Sequence, residues 1–366
     1  MQGSQRAPRD WNNLLTGWLL DKFDPTLLLT RKATTQAPSK AAQDDWDRIN
    51  CAVLGLAKQF MVRHEAGGIE PNQFYDQLLM LHRVLPMLIL RRDRGDSQDV
   101  FDKNVLSRCD LFLKGEWLTL HNAALRRNNE CNAQARRHAS KHGDRPSENA
   151  DWRVRQEAAT EQARLNNLGK AVNILTSSGL AAYAFPELCR HLQTLHPEEE
   201  VSTDGMGDPG SVKPDASTWD FFGVKALRKQ IRKCKQGSAV DLWGWKARGM
   251  LRGALYKDQL ADLLVEVVCR PLLEGYLPLD YQQLLAGGRL VGLSKAPKEG
   301  VRPICIGDLF RRLVAKALIQ RCGPGLHSYF QKAHPRVIQF GANMLNGATN
   351  CFTLLEAIVH EAAKLD

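Results

Sequence analysis

The chain has 366 residues, of which 43% are hydrophobic and 25% charged, a composition that excludes a disordered polyelectrolyte and suits about two or three globular domains. A formal charge of +10 and a pI near 9.2 favour a polyanionic partner, because clustered Lys and Arg release counterions on meeting phosphates. Nine cysteines scattered singly, with no CxxC pair, exclude a disulfide scaffold and suit a reducing compartment.

Met1 to Arg6 opens the chain without the apolar core of a secretory signal. The longest apolar stretch, Leu78 to Leu90, contains His82, Arg83 and Pro86 and is too short to cross a bilayer. A soluble intracellular protein of the cytoplasm or nucleus, with no membrane partner, is expected. Residues 1–195 read as helical, with apolar positions at three- and four-residue spacing in Ile49-Val53-Leu56-Phe60 and Phe74-Leu78-Leu81-Leu85. Gly67-Gly68 marks a break, and Pro71-Asn72-Gln73 suits the start of the second helix.

From Leu118 to Leu175 the chain is rich in Ala, Arg, Asn and Glu, with basic groups at Arg126, Arg127, Arg136, Arg137, Lys141 and Arg145. Such a run is a solvated helix face or a surface that tracks phosphates. His138 and His142 stand four apart without further ligands, and Cys189, His191 and His196 lack a second cysteine nearby, so no metal site is assigned to either set. Residues 196–218 bury almost nothing and are full of Pro and Gly, which places a flexible linker between a helical region at 1–195, of unassigned role, and a second domain at 219–366.

Phe222 to Lys235 is expected to form one amphipathic helix, with Val224, Leu227 and Ile231 on one side and Lys225, Arg228, Lys229 and Arg232 on another. This basic ridge is either a charged surface or a face laid against a nucleic-acid backbone. Leu290 to Ile306 reads as two short apolar strands separated by Pro297-Lys298-Glu299-Gly300, a hairpin signal. Asp308 then stands where it would cap a helix from Leu309, with Leu309, Leu313 and Ala317 facing a core and Arg311, Arg312 and Lys316 facing out. Gly323-Pro324-Gly325 is expected to end that helix.

In their order, Arg302-Pro303-Ile304, Arg311-Arg312-Leu313-Val314-Ala315-Lys316 and Gln339-Phe340-Gly341 with Asn346-Gly347 resemble the first blocks of the reverse transcriptases of non-LTR retrotransposons. Lys225 to Gly253 is similar to the segment that opens such domains, although the family continues with a Gly and an Asp-Gly pair where this chain has Val240 to Trp245. Leu168 to Leu180 is similar to a segment that precedes the polymerase. The resemblance covers about residues 165 to 365 and leaves the first 160 unmatched.

The chain is expected to be mainly α: the helical N-terminal region read from its periodicity, followed by the α+β fingers fragment with a β-hairpin that the resemblance implies. It assigns Arg302 to the incoming nucleotide, with Lys295 and Lys298 adding charge from the same hairpin and Arg311 or Arg312 as a second contact. Gln339 and Gly341 would stand beside the templating strand, where Gly341 permits close backbone approach and Phe340 packs or stacks. The ridge Lys225, Arg228, Lys229 and Arg232, with Arg312 and Lys316, would meet RNA or DNA. Polymerisation needs carboxylates that hold two magnesium ions about 4 Å apart. The chain is expected to stop before that palm domain, so no cofactor and no catalytic residue is assigned to it; magnesium is expected only with the palm, and a deoxynucleoside triphosphate is a partner if the full domain exists. Asp44-Asp45 lies in a polar helical stretch, and His360-Glu361 lacks the second His of a zinc protease. The alternative is a non-catalytic nucleic-acid-binding or interaction protein derived from a retroelement. Oligomeric state is open.

Overall fold

The computed structural model describes residues 19, 23, 35–62, 72–92, 96–142, 148–164, 168–176, 190, 194, 220–235, 238–278, 281, 285, 287–294 and 301–333. Among the described residues the chain is mostly helical, and the one sheet is a two-stranded antiparallel hairpin.

Helix α1, Gln43–Phe60, carries Asp44 and Asp45 in its first turn and Lys58 in its last, as the helix dipole favours. Its buried stripe of Trp46, Ile49, Val53, Leu54 and Ala57 follows the helical period. Helix α2, Gln73–Ile89, starts where the sequence suggested: the Asn72 side chain accepts hydrogen bonds from the backbone N–H of Phe74 at 3.0 Å and Tyr75 at 3.2 Å. Its buried residues lie on every side, from Phe74 to Ile89, so α2 is an interior helix. Ser97 caps α3, Gln98–Leu113, by accepting from Val100 N–H at 3.3 Å. Then come α4, Trp117–His142, and the mutually packed pair α5, Glu148–Arg164, and α6, Leu168–Thr176.

Beyond 196–218, which lies outside the described residues, come α7, Val224–Lys233, a short turn Ala247–Met250, and α8, Arg252–Tyr256. Helix α9, Asp258–Leu263, runs through a π-helical stretch, Leu264–Cys269, into α10, Arg270–Glu274, which Gly275 ends in the left-handed conformation at φ 74°. Strands β1, Gly288–Ser294, and β2, Val301–Gly307, pair from Gly288 opposite Gly307 to Ser294 opposite Val301. The expected hairpin is present, and its turn, 295–300, lies outside the described residues. Helix α11, Leu309–Ala333, follows directly.

The chain divides into two compact units, Met1–Arg312 and Leu313–Asp366, with the division inside α11. Within the first unit, helices from before and after 196–218 share one core. Trp46 Nε1 donates to Met250 O at 2.8 Å, Trp245 Nε1 to Arg83 O at 2.8 Å, and Tyr75 OH to Val267 O at 3.2 Å. Each of these bonds satisfies a polar tip on an aromatic ring that is otherwise buried. Two glycines allow the close approach. Gly244 has φ +88°, and a side chain there would meet Thr35 Oγ1 at 2.9 Å; one on Gly253 would overlap the Asp47 carboxylate.

In the second unit α11 continues past Gly323-Pro324-Gly325 to Ala333, so that triplet does not end the helix. Gly and Pro impose a local cost of about 1 and 3 kcal/mol in a helix interior, and helical turns on both sides absorb it. Ser328 Oγ donates to Pro324 O at 3.1 Å in the turn that follows. No helix among the described residues is long and apolar enough to cross a membrane.

Candidate nucleic-acid interface

The junction between β2 and α11 is built on two carboxylates. Asp308 accepts from Arg311 N–H at 2.9 Å, which makes it the N-cap that its position in the sequence suggested. Asp241, fully buried, accepts from Trp243 N–H at 3.0 Å and Trp245 N–H at 2.9 Å through Oδ1, and from Leu309 N–H at 2.9 Å through Oδ2. One side chain therefore closes the Val240 to Trp245 loop and fastens it to the start of α11. Two anions at a helix N-terminus suit its dipole but still need a cation when buried. Arg83 of α2 supplies it through an ion pair with Asp308 in which both side chains are 1% exposed. The Arg83 guanidinium also lies 4.9 Å from the Phe310 ring centroid and 5.8 Å from that of Tyr281.

The hairpin displays Arg302 to solvent on β2, opposite Leu293. Side chains alternate along a strand, so Arg302 shares its face with Ile304 and Ile306, and Gly307 belongs to the other face. Arg311, half-buried rather than outward-facing, reaches back to that other face: a side-chain carbon at Gly307 would lie 2.9 Å from Arg311 Nη2. Gly307 lies about 17 Å along the strand from Arg302 at the usual rise per residue. Arg302 and Arg311 therefore occupy opposite ends of the ribbon and are not brought together. Lys295 and Lys298 fall in the turn, and Gln339 and Gly341 after Ala333, all outside the described residues. Arg312 is half-buried, and Lys316, in the second unit, is exposed.

Helix α7 spans Val224–Lys233, with Leu227 and Ile231 buried and Lys225, Lys229 and Arg232 exposed. Arg228 departs from the ridge. Its Nε donates to Ala254 O at 2.9 Å and its Nη2 meets Asp258 Oδ1 at 2.7 Å, so it fastens α7 to α8 and α9. A basic side chain four residues from an exposed neighbour cannot be told from it by spacing alone; the partner across the helix pair decides.

Asp44 and Asp45 are both engaged. Asp44 pairs with Lys257 Nζ at 2.7 Å, and that hydrogen bond and charge hold its carboxyl below the usual range. Asp45 pairs with Arg48 at 3.2 Å. Among the described residues no group of three His, Cys, Asp or Glu side chains could hold a metal ion. Cys51, Cys109, Cys234, Cys269, Cys305 and Cys322 are free.

The residues that sequence reasoning missed are Arg83, Asp241 and Asp308 as a set. Arg83 carried a readable signal: a cation inside the apolar run Leu78 to Leu90 needs a buried anion. The fold and the site together define a mostly helical chain with a basic hairpin and a basic helix ridge. No protein family, no curated protein and no solved structure matches it.

Proposed function

We propose that this chain is the N-terminal extension and fingers portion of a retroelement reverse transcriptase, which binds template or primer nucleic acid and an incoming nucleotide. The observation that supports this reading is the junction itself: the hairpin bearing Arg302-Pro303-Ile304 runs straight into an Asp308-capped helix bearing Arg311-Arg312-Leu313. Nucleotide addition builds negative charge on phosphate oxygens, and a planar guanidinium on a paired strand is a suitable donor for them. Arg302 has that placement, exposed one residue into β2. Arg311, at the other end of the ribbon, serves the strand rather than the same phosphates.

The chain is expected to bind a deoxynucleoside triphosphate and a primer-template and to show no primer extension by itself. Arg302→Ala, at an exposed position, is expected to weaken nucleotide affinity roughly tenfold, the value of one charge-assisted hydrogen bond. Unchanged nucleotide affinity in that variant overturns the assignment of Arg302, and extension by the unaided chain overturns the non-catalytic half. A second reading, a nucleic-acid-binding module that takes no nucleotide, draws support from the exposed cations of α7, which need no polymerase site to meet phosphates.

A further inference from the structure

Tyr256 is the most exposed large hydrophobic side chain among the described residues, at 74%, and it ends α8 four residues after the exposed Arg252. Residues four apart share a helix face, so a bare aromatic ring and a guanidinium stand side by side. An exposed ring on a soluble surface forgoes burial and calls for a partner with its own flat apolar face.

Helix α7 lies against this same helix. Arg228 reaches from α7 to Ala254 O on α8, which fixes which side of α7 borders it. At about 100° per residue, Arg228, Arg232, Lys225 and Lys229 follow one another around one sector of α7. The exposed cations therefore continue outward from the edge where Arg228 meets α8. Lys225 to Arg232 spans about 10 Å of helix axis, a run of about three nucleotides at a stacked rise. On the adjoining α9, Asp258 pairs with Arg228, and Asp262 is the other exposed acid. Lys257, next to Tyr256, is held by Asp44 and Asp47 and adds no free charge.

We propose that α7 and α8 form a surface for single-stranded nucleic acid, in which Tyr256 stacks on one base while Lys225, Lys229, Arg232 and Arg252 hold the flanking phosphates. A duplex supplies the phosphates but keeps its base faces covered; a single strand supplies both. An acidic protein would satisfy the cations and leave the ring without a matching face. The inference rests on the nucleic-acid half of the function proposed above and adds the form of the strand and the residue that reads it.

The test is a salt-titrated binding measurement on the full chain with a labelled single-stranded oligonucleotide, the matching duplex and a poly-glutamate peptide. Tyr256→Ala is expected to weaken single-strand binding roughly tenfold with an unchanged salt slope, and Tyr256→Phe to restore it, because a phenyl ring stacks as well. Arg252→Ala or Lys229→Ala is expected to lower the salt slope by about 0.7. Unchanged affinity in Tyr256→Ala, equal affinity for the duplex, or equal competition by poly-glutamate each overturns the proposal. Melting curves of the variants keep a folding defect apart from a binding one. Loss of oligonucleotide affinity in Tyr256→Ala with normal nucleotide affinity in Arg302→Ala overturns the nucleotide assignment of Arg302 and keeps this surface; the reverse pattern does the opposite.

Discussion

His82 is fully buried beside Arg83, its ring 5.0 Å from that of Trp245 and 5.7 Å from that of Phe310, and neither ring nitrogen has a hydrogen-bond partner. Burial first, and the adjoining Arg83 charge second, lower its pKa to about 3. The folded chain holds this imidazole neutral, while the unfolded chain protonates it below about 6.5. Between those values the unfolded state binds the extra proton, so stability is full above pH 6.5 and falls as pH drops towards 3, by roughly 1.4 kcal/mol per pH unit at most. Urea unfolding of His82→Leu from pH 7 to pH 4 is expected to show a shallower acid loss than the parent chain. Parallel pH dependences in the two proteins rule out His82 as its source. Both His82 and Arg83 were visible in the sequence as polar interruptions of an apolar run. The groups that meet them, Asp308, Trp245 and Phe310, were not, because the run alone does not say which distant element packs against the helix.

At the scale of elements, the meeting of α2, the 240–245 loop and the start of α11 determines how the hairpin is presented. Asp241 and Asp308 supply acceptors for backbone N–H groups that burial would otherwise leave unmet, and Arg83 balances the Asp308 charge. Arg83→Ala leaves a buried carboxylate without its cation and is expected to cost about 3–5 kcal/mol in chemical denaturation. The double variant Arg83→Met with Asp308→Asn is expected to lose clearly less than the sum of the single changes, since it removes the unpaired charge. Strict additivity would show that the ion pair contributes nothing specific. The start of α2 at Asn72, the hairpin and the Asp308 cap were all legible, because caps and turns depend on residues adjacent in sequence. The end of α11 was misread at Gly323-Pro324-Gly325, since a local penalty of a few kcal/mol does not stop a helix whose flanks both favour it.

Across the whole molecule, the linker-like composition of 196–218 suggested separate bodies at 1–195 and 219–366. The described helices of the first unit instead interlock across that stretch: Trp46 reaches Met250, Tyr75 reaches Val267, and Trp245 reaches Arg83. A fragment of residues 219–366 exposes the apolar π-helical stretch Leu264–Cys269 and lacks Arg83 for Asp308. Expressed alone it is expected to aggregate, and co-expression with residues 1–195 is expected to recover a soluble complex. A folded, cooperatively melting 219–366 fragment overturns that expectation. Sequence by itself determined the helical character, the hairpin, its capped helix and the positive charge, because period, turn chemistry and composition act over a few residues. Only the tertiary structure decided which cations are free. Arg228 is engaged by Ala254 and Asp258, and Arg83 is buried against Asp308, while Lys225, Lys229, Arg232 and Arg302 are left to solvent. The reason is that a cation's role depends on which anion the fold brings to it from a distant part of the chain.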